Sequence, residues 1–128
     1  MPQPEKCRYT KSHEWIVVEG GEALVGISDH AQHEISDVVF VDLPKAGRAV
    51  TQGEGAAVVE SVKAAFDIYA PAAGTVSAVN PALAGDPALL NRDPHGEGWL
   101  FKLTGVDLKQ VDALMTLAQY QDFLKTAH

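Results

Sequence analysis

The 128-residue chain has a formal charge of −7, a 46% hydrophobic content and one cysteine. That size supports one domain with a real core and needs no metal or disulfide staple. The acidic balance argues against nucleic acid or an anionic lipid surface as partner, and no apolar run nears the ~18 residues of a membrane span.

The opening "MPQPEKCRY" has no signal-peptide core and is too short for a transit peptide, so cytoplasmic residence is expected. Cys7 is expected to be an incidental thiol in a loose stretch. "EWIVVEGGEALVGIS" places two alternating runs around Gly20-Gly21, a hairpin signal. "SDHAQHEI" reads as a short helix near residues 29–35, with Asp29 as its cap and Gln32 three residues on. "DVVFVDLP" is apolar on both faces and is expected to be a central strand. Further strands follow at "GAAVVESV", "AFDIYAP" and "GTVSAVN". "PALAGDPALLNRDPHGEG" is read as mostly turns, and "WLFKLTG" as the last strand.

From Asp107 the apolar spacing becomes helical, with Leu108, Val111, Leu114 and Met115. Thr116 and Gln119 then form a capping-box pattern ahead of Leu117, Tyr120, Phe123 and Leu124. The expectation is one domain over residues 1–128, with a strand-rich core at about 9–104 and a helical segment at about 107–126. The class is mainly β, a small barrel or sandwich of short antiparallel strands with C-terminal helices.

Lys63 interrupts two strand-like runs in "AVVESVKAAFDIYAP". A hairpin tip offers the ε-amine to solvent on a stiff support, where an enzyme could single it out and acylate it. An isolated lysine in such a turn is usually just a solvated side chain. The neighbours change that weighting: "ESVKA" resembles the attachment site of lipoyl-bearing domains. Biotin carriers usually flank their lysine with methionines, whereas Val62 and Ala64 stand here. A lipoyl-lysine would reach roughly 14 Å from its backbone.

The resemblance extends along nearly the whole chain. "YTKSHEWIVVEG", "VGISDHAQHEISDVVFVDLP", "VVESVKAAFDIYAPAAGTVSAVN" and "DPHGEGWLFKL", in that order, are similar to the glycine cleavage system H proteins. The shorter lipoyl carriers of 2-oxoacid dehydrogenases lack both the "HEW" and the "GEGW". Phe66 departs from the family, which usually has a small polar residue there.

The resemblance implies a lipoyl-type barrel-sandwich hybrid and a shuttle rather than an enzyme. It implies lipoate attached to Lys63, with Glu60, Ser61, Val62 and Ala64 recognised by lipoate-attaching enzymes. It implies an aminomethyl group carried from a pyridoxal-phosphate glycine decarboxylase to an aminomethyltransferase, with the dithiol presented to dihydrolipoamide dehydrogenase. An aminomethyl group on sulfur should hydrolyse in open water, so the loaded arm gains from a sheltering cleft. On the family pattern Ser12, Glu14 and Asp67 would dock the arm and its cationic amine. A monomer is expected.

A lipoyl relay serving 2-oxoacid dehydrogenases and an unmodified adaptor remain as alternatives. A hydrolase finds no nucleophile in a recognisable setting. His30 and His33 share a helix face but lack a third metal ligand, so solvated side chains are the better reading. His13 is expected to make a structural hydrogen bond, and Trp15 and Trp99 to be core or rim residues.

Overall fold

The structure, a computed structural model, describes residues 4–126. A 3₁₀ turn at Pro4–Lys6 leads into β1 (Arg8–Tyr9), β2 (Glu14–Glu19) and β3 (Glu22–Ile27). Then come α1 (Asp29–Ile35), β4 (Val38–Asp42), β5 (Ala49–Val50), β6 (Gly55–Ser61), β7 (Ala65–Tyr69) and β8 (Gly74–Val79). The chain ends with α2 (Ala82–Gly85), α3 (Leu89–Arg92), β9 (Phe101–Thr104), α4 (Leu108–Asp112) and α5 (Leu117–Thr126). All strand pairs are antiparallel. They form a six-stranded sheet in the order β1-β2-β3-β9-β8-β5 and a three-stranded sheet in the order β4-β6-β7.

Period-2 alternation divides the apolar residues between two cores. Ile16, Val25, Phe101, Leu103 and Val76 from the large sheet meet Val41, Val59 and Ile68 from the small one. From the same strands, Trp15, Val17 and Leu24 point the other way, into an outer core with Tyr9, Cys7, Met115 and the α5 residues Leu117, Tyr120, Phe123 and Leu124. Gly20 and Gly21 close the β2–β3 hairpin at φ +58° and +84°, both in the left-handed region that glycine occupies without strain. Gly26 sits opposite Trp15, and any Cβ there would lie 2.5 Å from the indole. The large ring therefore lies flat across the sheet only because its partner has no side chain.

The helical expectations at the C-terminus hold. Thr116 N–H donates to Gln119 Oε1 at 2.9 Å, and Gln119 N–H donates to Thr116 Oγ1 at 3.3 Å. Four expectations are corrected. Strand β4 is an edge, not a central strand. An irregularity between Val38 and Phe40 leaves Val39 54% and Phe40 51% exposed. The cap of α1 is Ser28, whose Oγ accepts from Ala31 N–H; Asp29 instead accepts from Gln32 Nε2 inside the first turn. The Pro- and Gly-rich stretch contains two single-turn helices, α2 and α3, held by Leu83 and Leu90 in the main core. Cys7 is 2% exposed rather than loose, and burial pushes its thiol pKa up to about 12. Among the described residues, no helix is long and apolar enough to cross a membrane.

Candidate functional site: the Lys63 tip and an adjoining groove

Lys63 lies at the exposed tip of the β6–β7 hairpin. Its turn is locked by one side chain. Ser61 Oγ accepts from Lys63 N–H at 3.2 Å and Ala64 N–H at 3.3 Å, and its hydroxyl reaches Ala64 O at 3.2 Å. Ser61 N–H also donates to Ala64 O at 2.8 Å. Val62 N–H donates to Asp37 O at 3.1 Å, which ties the tip to the chain between α1 and β4. Glu60 and Ala64 are exposed beside it, and Val62 is 68% exposed. A rigid backbone thus presents one amine with a carboxylate and a small apolar side chain nearby.

A groove of about 410 Å³ runs beside β7. Ile27, Ala31, Ile35, Phe66 and Ile68 form its apolar walls, and Ser12, His13, His30, Glu34 and Asp67 supply its polar groups. Phe66 is half-buried against the main core and forms part of this wall. Phe66 and Asp67 follow Lys63 by three and four residues, about 10–13 Å along an extended strand.

The three expected docking residues occupy different depths. Ser12 and Asp67 are exposed and line the groove. Glu14 is 1% exposed and lies behind Ser12. Its Oε1 accepts from Thr10 Oγ1 at 2.5 Å and Ser12 Oγ at 2.6 Å, and its Oε2 accepts from Tyr69 N–H at 3.2 Å. The last bond caps an edge amide of β7 from β2, joining the two sheets. Ser12 Oγ donates to the Glu14 carboxylate and also lies 3.2 Å from Thr10 Oγ1, so toward a groove ligand it can act only as an acceptor.

Residues that sequence reasoning did not assign to the site complete it. His13 has a positive φ of +75°, rare for a residue with a side chain. Its Nδ1 lies 2.8 Å from Tyr120 Oη, the structural bond expected of it, and its ring lies 4.7 Å from that of His30. Burial, with a smaller contribution from His30, holds its pKa below the usual histidine value. His30 and His33 turn to different partners: His30 pairs with Glu34 at 3.6 Å, and His33 accepts from Gln32 Nε2 at 2.9 Å. Helix α1, β7 and the turn before β2 meet at this groove. No local spacing in the sequence connects those three segments.

The "HEW" and "DPHGEG" stretches also meet in space. Trp15 Nε1 donates to Pro94 O at 3.1 Å, and the Trp15 and His95 rings stack at 5.5 Å. Tyr9 Oη lies 3.2 Å from His95 Nε2. Each stretch is the packing surface of the other.

The chain is similar to proteins of one family over nearly its whole length. The family model described as "Glycine cleavage H-protein" matches residues 7–127. The glycine cleavage system H protein of Beijerinckia indica subsp. indica is 57% identical over 119 residues, covering 93% of this chain and 96% of that one. The H protein of Thermus thermophilus is 51% identical over 126 residues, covering 98% of each. The crystal structure of a glycine cleavage system H protein from Mycobacterium marinum matches with a TM-score of 0.86 at 37% identity, covering 96% of this chain and 99% of that one.

Proposed function

Given that the chain belongs to the glycine cleavage H-protein family, we propose that it is a non-catalytic lipoyl carrier whose attachment point is Lys63. The residues fit such a group. The amine is exposed on a locked turn, and the adjoining groove pairs apolar walls with polar groups. When bound, lipoate supplies the disulfide that takes up the aminomethyl group of glycine and the dithiol that is later reoxidised. Its partners are a pyridoxal-phosphate glycine decarboxylase, an aminomethyltransferase and dihydrolipoamide dehydrogenase, with lipoate-attaching enzymes acting first. The carrier works as a monomer in the cytoplasm with them.

The chain's own residues have three tasks. Glu60, Ser61, Val62 and Ala64 define the tip that the attaching enzyme reads, with Ser61 fixing the backbone. Ile27, Ala31, Ile35, Phe66 and Ile68 exclude water along the groove. Ser12 and Asp67 accept hydrogen bonds from a cationic cargo, and Glu14 backs Ser12 by accepting a hydrogen bond from its hydroxyl.

The exposed Lys63 on the hairpin tip is the observation that carries this reading. Co-expression with a lipoate ligase, followed by intact-mass and peptide mapping, tests it. One lipoyl amide at Lys63 is expected, with none on Lys63→Arg. Modification elsewhere, or a lipoylated sample that never supports glycine–bicarbonate exchange with the decarboxylase, overturns it.

A further inference from the structure

Tyr120 belongs to the outer core and does not line the groove, yet its hydroxyl holds both of the groove's walls. It lies 2.8 Å from His13 Nδ1 and 2.7 Å from Ser28 Oγ. Ser28 Oγ also accepts from Ala31 N–H at 3.1 Å, which caps α1. One oxygen on α5 is therefore linked to the turn that bears Ser12 and to the first turn of the helix that bears His30 and Glu34.

The turn needs such a hold. His13 stands in the left-handed region, between Ser12 and Glu14. Residues with side chains persist there only when their surroundings over-determine them. Its backbone is fixed by His13 N–H to Thr10 O at 3.1 Å and by Ser28 N–H to His13 O at 3.0 Å. Its ring sits among His30 of α1 and Tyr120 and Phe123 of α5. Of these contacts, the Tyr120 hydroxyl is a directional one. Burial raises the Tyr120 pKa, so the phenol keeps its proton for this bridge.

We propose that Tyr120 is a positioning residue for the groove: by bridging His13 and Ser28 it sets the spacing between the Ser12 turn and α1. This rests on reading the groove as the shelter of the loaded arm. A widened groove admits water to the cargo and turns Ser12 away from it. Tyr120 acts through His13 and Ser28 and touches neither arm nor cargo.

The test uses the full lipoylated chain carrying Tyr120→Phe, which keeps the ring stacked on Tyr9 at 4.6 Å. Two readouts are taken. Nitrogen NMR of His13 is expected to lose the signature of a hydrogen-bonded Nδ1. The chain, loaded by glycine decarboxylase, is expected to release formaldehyde about fivefold faster, as befits the loss of one or two neutral hydrogen bonds. Ser28→Ala removes the other half of the bridge and is expected to accelerate release similarly. Leu124→Ala loosens the same outer core while keeping the hydroxyl and the rings around His13, and is expected to leave the rate unchanged. The proposal is overturned if Tyr120→Phe changes the His13 signal but not the release rate, or if Leu124→Ala accelerates release equally. If the wild-type loaded chain decays as fast as free aminomethyl-lipoamide, the groove reading fails first and takes this one with it.

Discussion

The hairpin that bears Lys63 and the aromatic layer beneath α5 flank opposite faces of the large sheet, and they achieve order in opposite ways. Around the tip, Glu60, Val62, Lys63 and Ala64 are all exposed, and a single serine hydroxyl plus backbone hydrogen bonds hold the turn. Under α5, order comes from buried rings: Trp15 on His95, and Tyr9 on Tyr120. If the tip is the lipoyl attachment point proposed above, partner enzymes must reach it, and burial cannot stiffen it; hydrogen bonding along the main chain does so instead. Side-chain burial orders the other face.

The contrast can be broken at several strengths. Trp15→Ala should be the most damaging, at about 3–5 kcal/mol in urea unfolding, because it empties the outer core beside Gly26. A loss under 1 kcal/mol would mean that the aromatic layer is not what holds that face. Glu14→Ala should follow at about 1–3 kcal/mol, since it strands the Tyr69 amide and the Thr10 and Ser12 hydroxyls. It should also shorten the life of the loaded carrier, measured as formaldehyde release; an unchanged rate would remove Glu14 from cargo protection.

Ser61→Ala should cost only about 1 kcal/mol, yet it should slow lipoylation at Lys63 by loosening the turn. Equal ligase rates would show that the turn lock is dispensable for recognition. The mildest effect should be acid sensitivity. Burial holds His13 and His95 below the usual histidine value, so the unfolded chain takes up protons that the folded chain refuses. Their stabilisation is complete above pH about 6.5 and is lost as pH falls through the depressed folded values. The Tm should drop between about pH 7.5 and 5.5, and His95→Gln should remove part of that slope. A slope of unchanged size in His95→Gln would clear that histidine.

Sequence patterns revealed what depends on neighbours along the chain. Gly20-Gly21 announced a hairpin and Thr116-Gln119 a helix start, because each signal is spent within one turn. Lys63 was legible for the same reason, since its tip is built from contiguous residues. Properties set by tertiary placement were misread. Val39 and Phe40 look like a core strand until an irregular edge turns both outward. Cys7 looked loose because nothing nearby in sequence shows α5 returning to cover it. The cap of α1 was misread by one residue although its signal is local: Ser28 has the extended backbone of an N-cap and its Oγ accepts from Ala31 N–H three residues on. Glu14 was expected to face the arm directly, and the hydroxyls that enclose it behind Ser12 became visible only with the turn folded.

The bond from Val62 N–H to Asp37 O has a consequence for how the carrier is handled. An enzyme that drew the lysine loop outward would have to stretch or break this bond to the backbone that follows α1, one wall of the groove. The Val62 amide would act as a gauge of that pull, with faster hydrogen–deuterium exchange whenever a partner draws the loop outward.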